Sequence, residues 1–248
     1  MTLSLGRVLA DAWTILRREG DLVLRVAAPF LFLPAFALKL LIAPPPALPQ
    51  SSGDRVATQA WMEAMYAWMQ ANAGWYLLVN LIGIYGMAAL TILLVHPARP
   101  DVRTALITAA RRFWRFFLAY LLMAIPISLG IWLFVLPGLY MQARLIATIP
   151  ALVVEAPIGA ARAVGRSWQL TRGEWWGVLG AVVMLFLVQY MVQVPLIPAD
   201  GFLRSAGHEN PIVLALANAV MAAAVAGYQV AIVGIGIALY RRLANNGM

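Results

Sequence analysis

The sequence predicts an all-α, polytopic transmembrane helical bundle, and three observations carry that prediction. Of 248 residues, 63% are hydrophobic and only 11% charged, against about 25% charged in an ordinary soluble domain. Six apolar stretches come close to the roughly 20 residues that cross a hydrocarbon core about 30 Å thick at 1.5 Å per helical residue. The loops between them alternate between rich and poor in arginine, as in a chain that threads a membrane six times. So few charged side chains cannot supply the polar skin of a soluble domain. Lipid is expected to cover the rest.

Taken in order, residues 3–19 open the chain as an amphipathic helix. Leu5, Val8, Leu9, Ala12, Trp13 and Leu16 form one stripe with Arg7, Asp11 and Arg18 off it, the pattern of a helix lying among head groups. The first span, residues 21–43, starts too late and runs too long for a signal-peptide core, so it is expected to be retained. Residues 44–73 read as an external insertion. A loop rich in Pro and Ser precedes Trp61, Met65, Trp68 and Met69 at helical spacing, a face that suits lipid contact or, more sharply, a docked partner or apolar ligand.

The second span covers residues 75–96. Asp101 then caps an amphipathic helix running to Arg115. The third span, 116–134, and the fourth, 139–154, form a hairpin whose tight turn is Leu136-Pro137-Gly138. A third amphipathic helix runs from Pro157, as a first-turn proline, to Arg172. The fifth span is 175–194 and the sixth 212–240. In the sixth, Ala215, Ala219, Ala223, Gly227 and Ala231 recur at every fourth position, and small residues let helices approach closely where lipid supplies no hydrophobic drive. That stripe is expected to be a tight helix contact within the chain, with a homo-oligomer left open.

The formal charge is +8, a balance that attracts nucleic acid or anionic lipid. Its distribution selects lipid. With six spans, Arg7, Arg17, Arg18, Arg99, Arg103, Arg111, Arg112, Arg115, Arg162, Arg166, Arg172, Arg241 and Arg242 fall on one face, and Arg55 and Arg204 on the other. The basic face is expected to be cytoplasmic, with both termini there. Arg17, Arg18, Arg111, Arg112, Arg115, Arg166 and Arg172 become candidate contacts for anionic inner-leaflet head groups. No soluble basic domain remains for nucleic acid. A surface helix followed by a pair of spans occurs three times, and Trp13 and Arg17 match Trp168 and Arg172 in spacing. A threefold internal repeat and chance similarity among basic helices both account for that echo.

Charged groups inside spans point most strongly to chemistry, since each costs about 2.5–3.5 kcal/mol on insertion scales. Arg144 is the clearest case, inside the short fourth span with Gln142 nearby. Glu155 follows eleven steps of about 100° later, on nearly the same helix face. Two roles are open to Arg144: an anion or lipid head-group ligand in a polar cavity with Gln189 and Gln193, or a structural tie between helices through carbonyls and amides. Asp21 and Arg25, near an interface, are weaker candidates. No catalytic set, metal site or cofactor is expected. The two histidines, His96 and His208, are predicted on opposite faces, and Ser205, His208 and Glu209 share a loop that lacks the scaffold a triad needs.

Leu136-Pro137-Gly138-Leu139-Tyr140, Arg144, Pro150, Glu155, Ala163 and the run from Arg166-Ser167-Trp168-Gln169-Leu170-Thr171-Arg172 to Gly173 are similar to a known pattern. Between Phe134 and Trp176 the chain resembles the membrane domain found ahead of some glycerophosphodiester phosphodiesterases and related stand-alone bacterial inner-membrane proteins. The resemblance implies a six-span module in the inner membrane. No phosphodiesterase barrel is expected beyond Tyr240, so hydrolase activity is not expected of this chain. The leading expectation is a non-enzymatic membrane scaffold or anchor that interacts with lipid or a protein partner. A transporter or lipid-handling protein built around Arg144 is the alternative, and an intramembrane enzyme, which needs an acid and a hydroxyl gathered at Arg144, comes third.

Overall fold

A computed structural model describes residues 5–49, 54–95, 100–173, 175–205 and 210–245. His96, Arg99, Glu174, His208 and Glu209 lie outside the described residues. Among those described, all regular elements are helical and six segments are long and apolar enough to cross a membrane.

The amphipathic helix α1 (Leu5–Arg18) leads into the first span. That span is α2 (Gly20–Ala27), a π-helical turn (Ala28–Phe32) and α3 (Leu33–Leu41). Pro29 and Pro34 each remove one donor from the helical ladder, and the Leu33 N–H reaches back five residues to Ala28 O, widening the helix between them.

The helical part of the insertion and the second span form a single helix, α4 (Arg55–Val95). Its 41 residues extend roughly 60 Å at 1.5 Å per residue, about twice a hydrocarbon core, so the helix is longer than one crossing needs. Asp54 caps it, its carboxylate accepting from the Val56 and Ala57 N–H groups at 2.9 and 3.2 Å. The aromatic face read from sequence has a local use. Trp61 Nε1 donates to Pro46 O at 3.1 Å and Trp68 Nε1 to Ala43 O at 3.0 Å, binding the proline-rich loop against the helix.

Asp101 caps α5 (Val102–Arg111), accepting from the Thr104 N–H at 3.2 Å. The hairpin α6 (Phe113–Leu133) and α7 (Val135–Leu145) differs from expectation at its turn. Only Phe134 is extended, and Leu136-Pro137-Gly138 is already the first turn of α7, where proline's missing N–H leaves no gap. Gly138 permits close crossing instead. A Cβ there would lie 2.6 Å from Ile131 N and 2.9 Å from Ile127 O, and one on Gly130 would lie 2.7 Å from Gly138 N.

After α7 the helix breaks at Ile146 and Ala147 and resumes as α8 (Thr148–Val154). The next amphipathic helix, α9 (Ala160–Leu170), starts at Ala160 behind the N-cap Gly159, three residues later than the expected first-turn Pro157. The fifth span comprises α10 (Trp175–Gln193) and, past a break at Pro195, α11 (Leu196–Leu203); α12 (Pro211–Asn245) is the sixth.

The fourth span is the hub. Residues Val135–Val154 have the lowest mean hydropathy of the six, 1.2, and 72% of that window is buried in protein, against 11% for Phe113–Leu133. A helix that meets protein rather than lipid tolerates polar residues that a lipid-facing one excludes, and this places Arg144 there. On α12 the small-residue stripe is displaced from the contact. Ala223 and Gly227 are exposed and Ala215, Ala219 and Ala231 half-buried, whereas Ala222 and Ala226 are buried. The packed face lies one residue, about 100°, around the helix.

Candidate functional site

The polar groups that the sequence brings forward settle in two places, and a third cluster joins them. The first is a knot at the basic end of the bundle. Pro150 has no N–H, and its ring excludes a helical carbonyl from residue 146, so the backbone around Ile146 and Ala147 loses ladder partners. Side chains of α9 replace them. Ser167 Oγ donates to Arg144 O at 2.9 Å and accepts from the Ala147 N–H at 3.2 Å. Thr171 Oγ1, 2.9 Å from Ser167 O, lies 3.2 Å from Arg144 O. The freed Ile146 carbonyl abuts α12 at Gly236, where a Cβ would lie 2.6 Å from that oxygen. Hydroxyl side chains satisfying a broken backbone are what the absence of water in lipid demands.

Arg144 is 3% exposed. Its Nη2 donates to Trp168 O at 2.9 Å, and its guanidinium carbon stands 4.2 Å from the centre of the Trp168 ring, a cation–π contact. Among the described residues it has no carboxylate partner, and its Nε, like Thr148 Oγ1, has no hydrogen-bond partner. Glu155 turns elsewhere, accepting from Arg166 Nε and the Tyr240 hydroxyl, both at 3.0 Å, so that α9 and α12 are tied to the end of α8. Among the described residues, the acid nearest in sequence, Glu155, is thus engaged away from Arg144.

Around this knot, Arg115 Nη2 donates to Ile158 O, Arg241 Nη2 to Leu94 O at 2.7 Å, and Arg242 pairs with Asp11, joining the end of α12 to α1. Arg17, Arg18, Arg111, Arg112 and Arg172 remain exposed. Trp13, Trp114, Trp168 and Trp176 are exposed at the same end. Hydrogen bonds from Thr104 hold the carboxyl of Asp101, also at this end, below the ordinary carboxylate range. Arg25 pairs with Asp21 at 2.8 Å on the surface.

The second place is a cavity of about 480 Å³ between the spans, lined by Gln142, Gln189, Gln229 and Tyr228, with Asn80, Thr91 and Tyr120, among otherwise apolar residues. Gln142 Oε1 accepts from the Tyr228 hydroxyl at 2.8 Å. Arg144 and Glu155 are not on its wall, and the half-buried Gln193 is not either. Positions 142 and 144 differ by about 200° around a helix, so one faces the cavity and the other the knot. The proposed grouping of Arg144 with Gln142, Glu155, Gln189 and Gln193 thus divides, with only the two glutamines Gln142 and Gln189 sharing a cavity.

A third cluster, at the opposite end, escaped the sequence reading. Arg204 Nε pairs with Asp200 Oδ2 at 2.9 Å, Asn218 Nδ2 donates to Asp200 Oδ1 at 3.1 Å, and Arg204 Nη2 donates to Lys39 O at 2.8 Å. The acid-to-base spacing of four residues signals such a pair on a helix; the loop assigned to that stretch hid it.

Six apolar spans around a polar hub define a multi-pass helical integral membrane protein. Within that class the chain belongs to the family described as the membrane domain of glycerophosphoryl diester phosphodiesterase, whose model matches residues 107–239, more than half of the chain. No curated protein and no solved structure shows a significant match.

Proposed function

We propose that the chain is a non-enzymatic scaffold of a bacterial inner membrane, with both termini cytoplasmic and its basic end seated on anionic head groups. One observation carries this reading: the exposed Arg17, Arg18, Arg111, Arg112 and Arg172 share one end with the exposed Trp13, Trp114, Trp168 and Trp176. Tryptophan favours the interface, and basic residues favour the cytoplasmic leaflet. Each arginine near an anionic surface contributes about 1 kcal/mol, so the five together contribute roughly 5 kcal/mol at low salt. The buried and half-buried polar groups support a structural rather than a catalytic use. Arg144 with Trp168, Glu155 with Arg166 and Tyr240, and Asp200 with Arg204 and Asn218 each join separate segments of the chain.

Two measurements test the proposal. The chain has no cysteine, so Ala60→Cys on α4 and Ala110→Cys on α5 report sidedness with a membrane-impermeant maleimide. Ala60→Cys should label in intact spheroplasts and Ala110→Cys only in inverted vesicles; the reverse pattern would overturn the orientation. Native mass spectrometry from nanodiscs containing phosphatidylglycerol and phosphatidylcholine should show preferential retention of the anionic lipid. Replacing the five exposed arginines by glutamine should abolish that preference, and an unchanged lipid set would refute the head-group seat.

A further inference from the structure

The cavity holding Gln142 and Gln189 does not end at the glutamines. A second chamber of about 440 Å³ shares Asn80, Met87, Tyr120, Ala124, Val225 and Gln229 with it, and continues between the first span, α4, α6 and α12. Each volume lies within the roughly 300–1,000 Å³ typical of small-ligand sites.

We propose that the two chambers form one binding site for an uncharged, lipid-soluble molecule with a carbonyl or hydroxyl head and an apolar body. The head is fixed by what lines the first chamber. No charged side chain is on its wall, and an ionic head at this depth would shed its hydration without gaining a countercharge. Yet the chamber is not apolar. The side chains of Gln189 and Gln229 make no hydrogen bond to another described residue, and of the Gln142 amide only the oxygen is engaged, by Tyr228. Primary amides facing a chamber at membrane depth need partners that neither lipid tails nor the protein supply. Since an amide offers both donors and an acceptor, a carbonyl or a hydroxyl satisfies it equally.

The body is fixed by the second chamber. Phe30, Leu31, Phe117 and Leu121 line it, and the flexible Met87 on the shared wall can adapt to the shape of a chain. Its one charged residue, Lys39, is half-buried two residues from the end of α3, where the Asp200 carboxylate supplies a countercharge. Leu121 is 44% exposed and Asn80 is exposed too, so the wall between α4 and α6 opens sideways, the route by which a molecule dissolved in the bilayer enters.

The full chain in nanodiscs tests this with a monoacylglycerol carrying a diazirine and an alkyne in its acyl chain, compared with the alkyl sulfonate of the same length and label. Cross-linked peptides are mapped by mass spectrometry. The monoacylglycerol should label residues 117–127 and 225–233 saturably, at least tenfold more efficiently than the sulfonate. Gln229→Leu and Gln189→Leu should each weaken labelling by about three- to tenfold, the loss of one hydrogen bond. Gln193→Leu, outside the chambers, should leave it unchanged. Ala124→Phe, which fills the shared wall, should block it and covers the case in which a glutamine variant fails to fold. Equal labelling by the sulfonate, unsaturable labelling spread over the exposed faces of α6 and α10, or full labelling in Ala124→Phe would each overturn the proposal.

Discussion

Replacing Ser167 by alanine isolates the repair of the broken fourth span. Its hydroxyl, fully buried, donates to Arg144 O and accepts from the Ala147 N–H. The carbonyl keeps Thr171 Oγ1 within reach at 3.2 Å, and its single proton can turn there from Ser167 O, which also accepts from the Thr171 N–H, so the carbonyl loses little. The Ala147 N–H loses its side-chain acceptor inside protein, at about 1–3 kcal/mol, while the void left by one oxygen adds only a small term. The expected destabilisation is therefore about 2 kcal/mol, measured by reversible unfolding of the purified protein as denaturing detergent is titrated into mild micelles. Thr14→Val, whose hydroxyl bonds Ala10 O on an exposed face, should cost almost nothing in the same assay. Pro150→Ala restores an N–H at position 150 and lets the helix close over Ile146 and Ala147, so Ser167→Ala should cost about 1 kcal/mol less in that background, a coupling of ordinary size for neighbours. A cost below about 0.5 kcal/mol, or an equal cost in both backgrounds, would refute the idea that Ser167 compensates for the proline.

Gly138→Ala forces a Cβ to within 2.2 Å of Ile131 Cγ1 and 2.6 Å of Ile131 N, so α6 and α7 must part, with a loss of about 2 kcal/mol or more. Gly227→Ala meets nothing within 4 Å and should be neutral or stabilising by up to about 1 kcal/mol through helix propensity; equal effects at the two glycines in the unfolding assay would contradict the close crossing. Glu155→Gln removes an ion pair whose side chains are 28% and 40% exposed while leaving an oxygen for Tyr240, so the loss should stay below about 1 kcal/mol, and a larger one would mean that the pair is better shielded from water than its exposure implies. Because the folded Asp101 carboxyl titrates below its ordinary value, its cap contribution is complete above the unfolded carboxylate value and disappears as pH falls through the folded one. The wild type should therefore lose more stability than Asp101→Asn when the pH is lowered through that range, and parallel pH profiles would remove the carboxylate from the cap.

Membrane class, span number and the basic end were legible because they depend on quantities summed along the chain. Transfer into lipid requires long apolar stretches whatever their neighbours are, and arginine placement reflects the membrane's two surfaces. The Asp101 cap was legible because it is local, one carboxylate and an N–H three residues on. Everything that depended on which side of a span meets protein had to wait for the packing. Arg144 and Gln142 lie two residues apart, yet one joins Trp168 and the other a cavity. Ala222 and Ala226 are buried while Ala223 and Gly227 are exposed, and Gly138 opens a helix crossing rather than a turn. Lipid tails are as apolar as leucine, so a spanning helix carries no polar face to mark its outside. The chain's own composition decided that it enters the membrane and at which end its arginines gather; only helix against helix decided where its few polar side chains point.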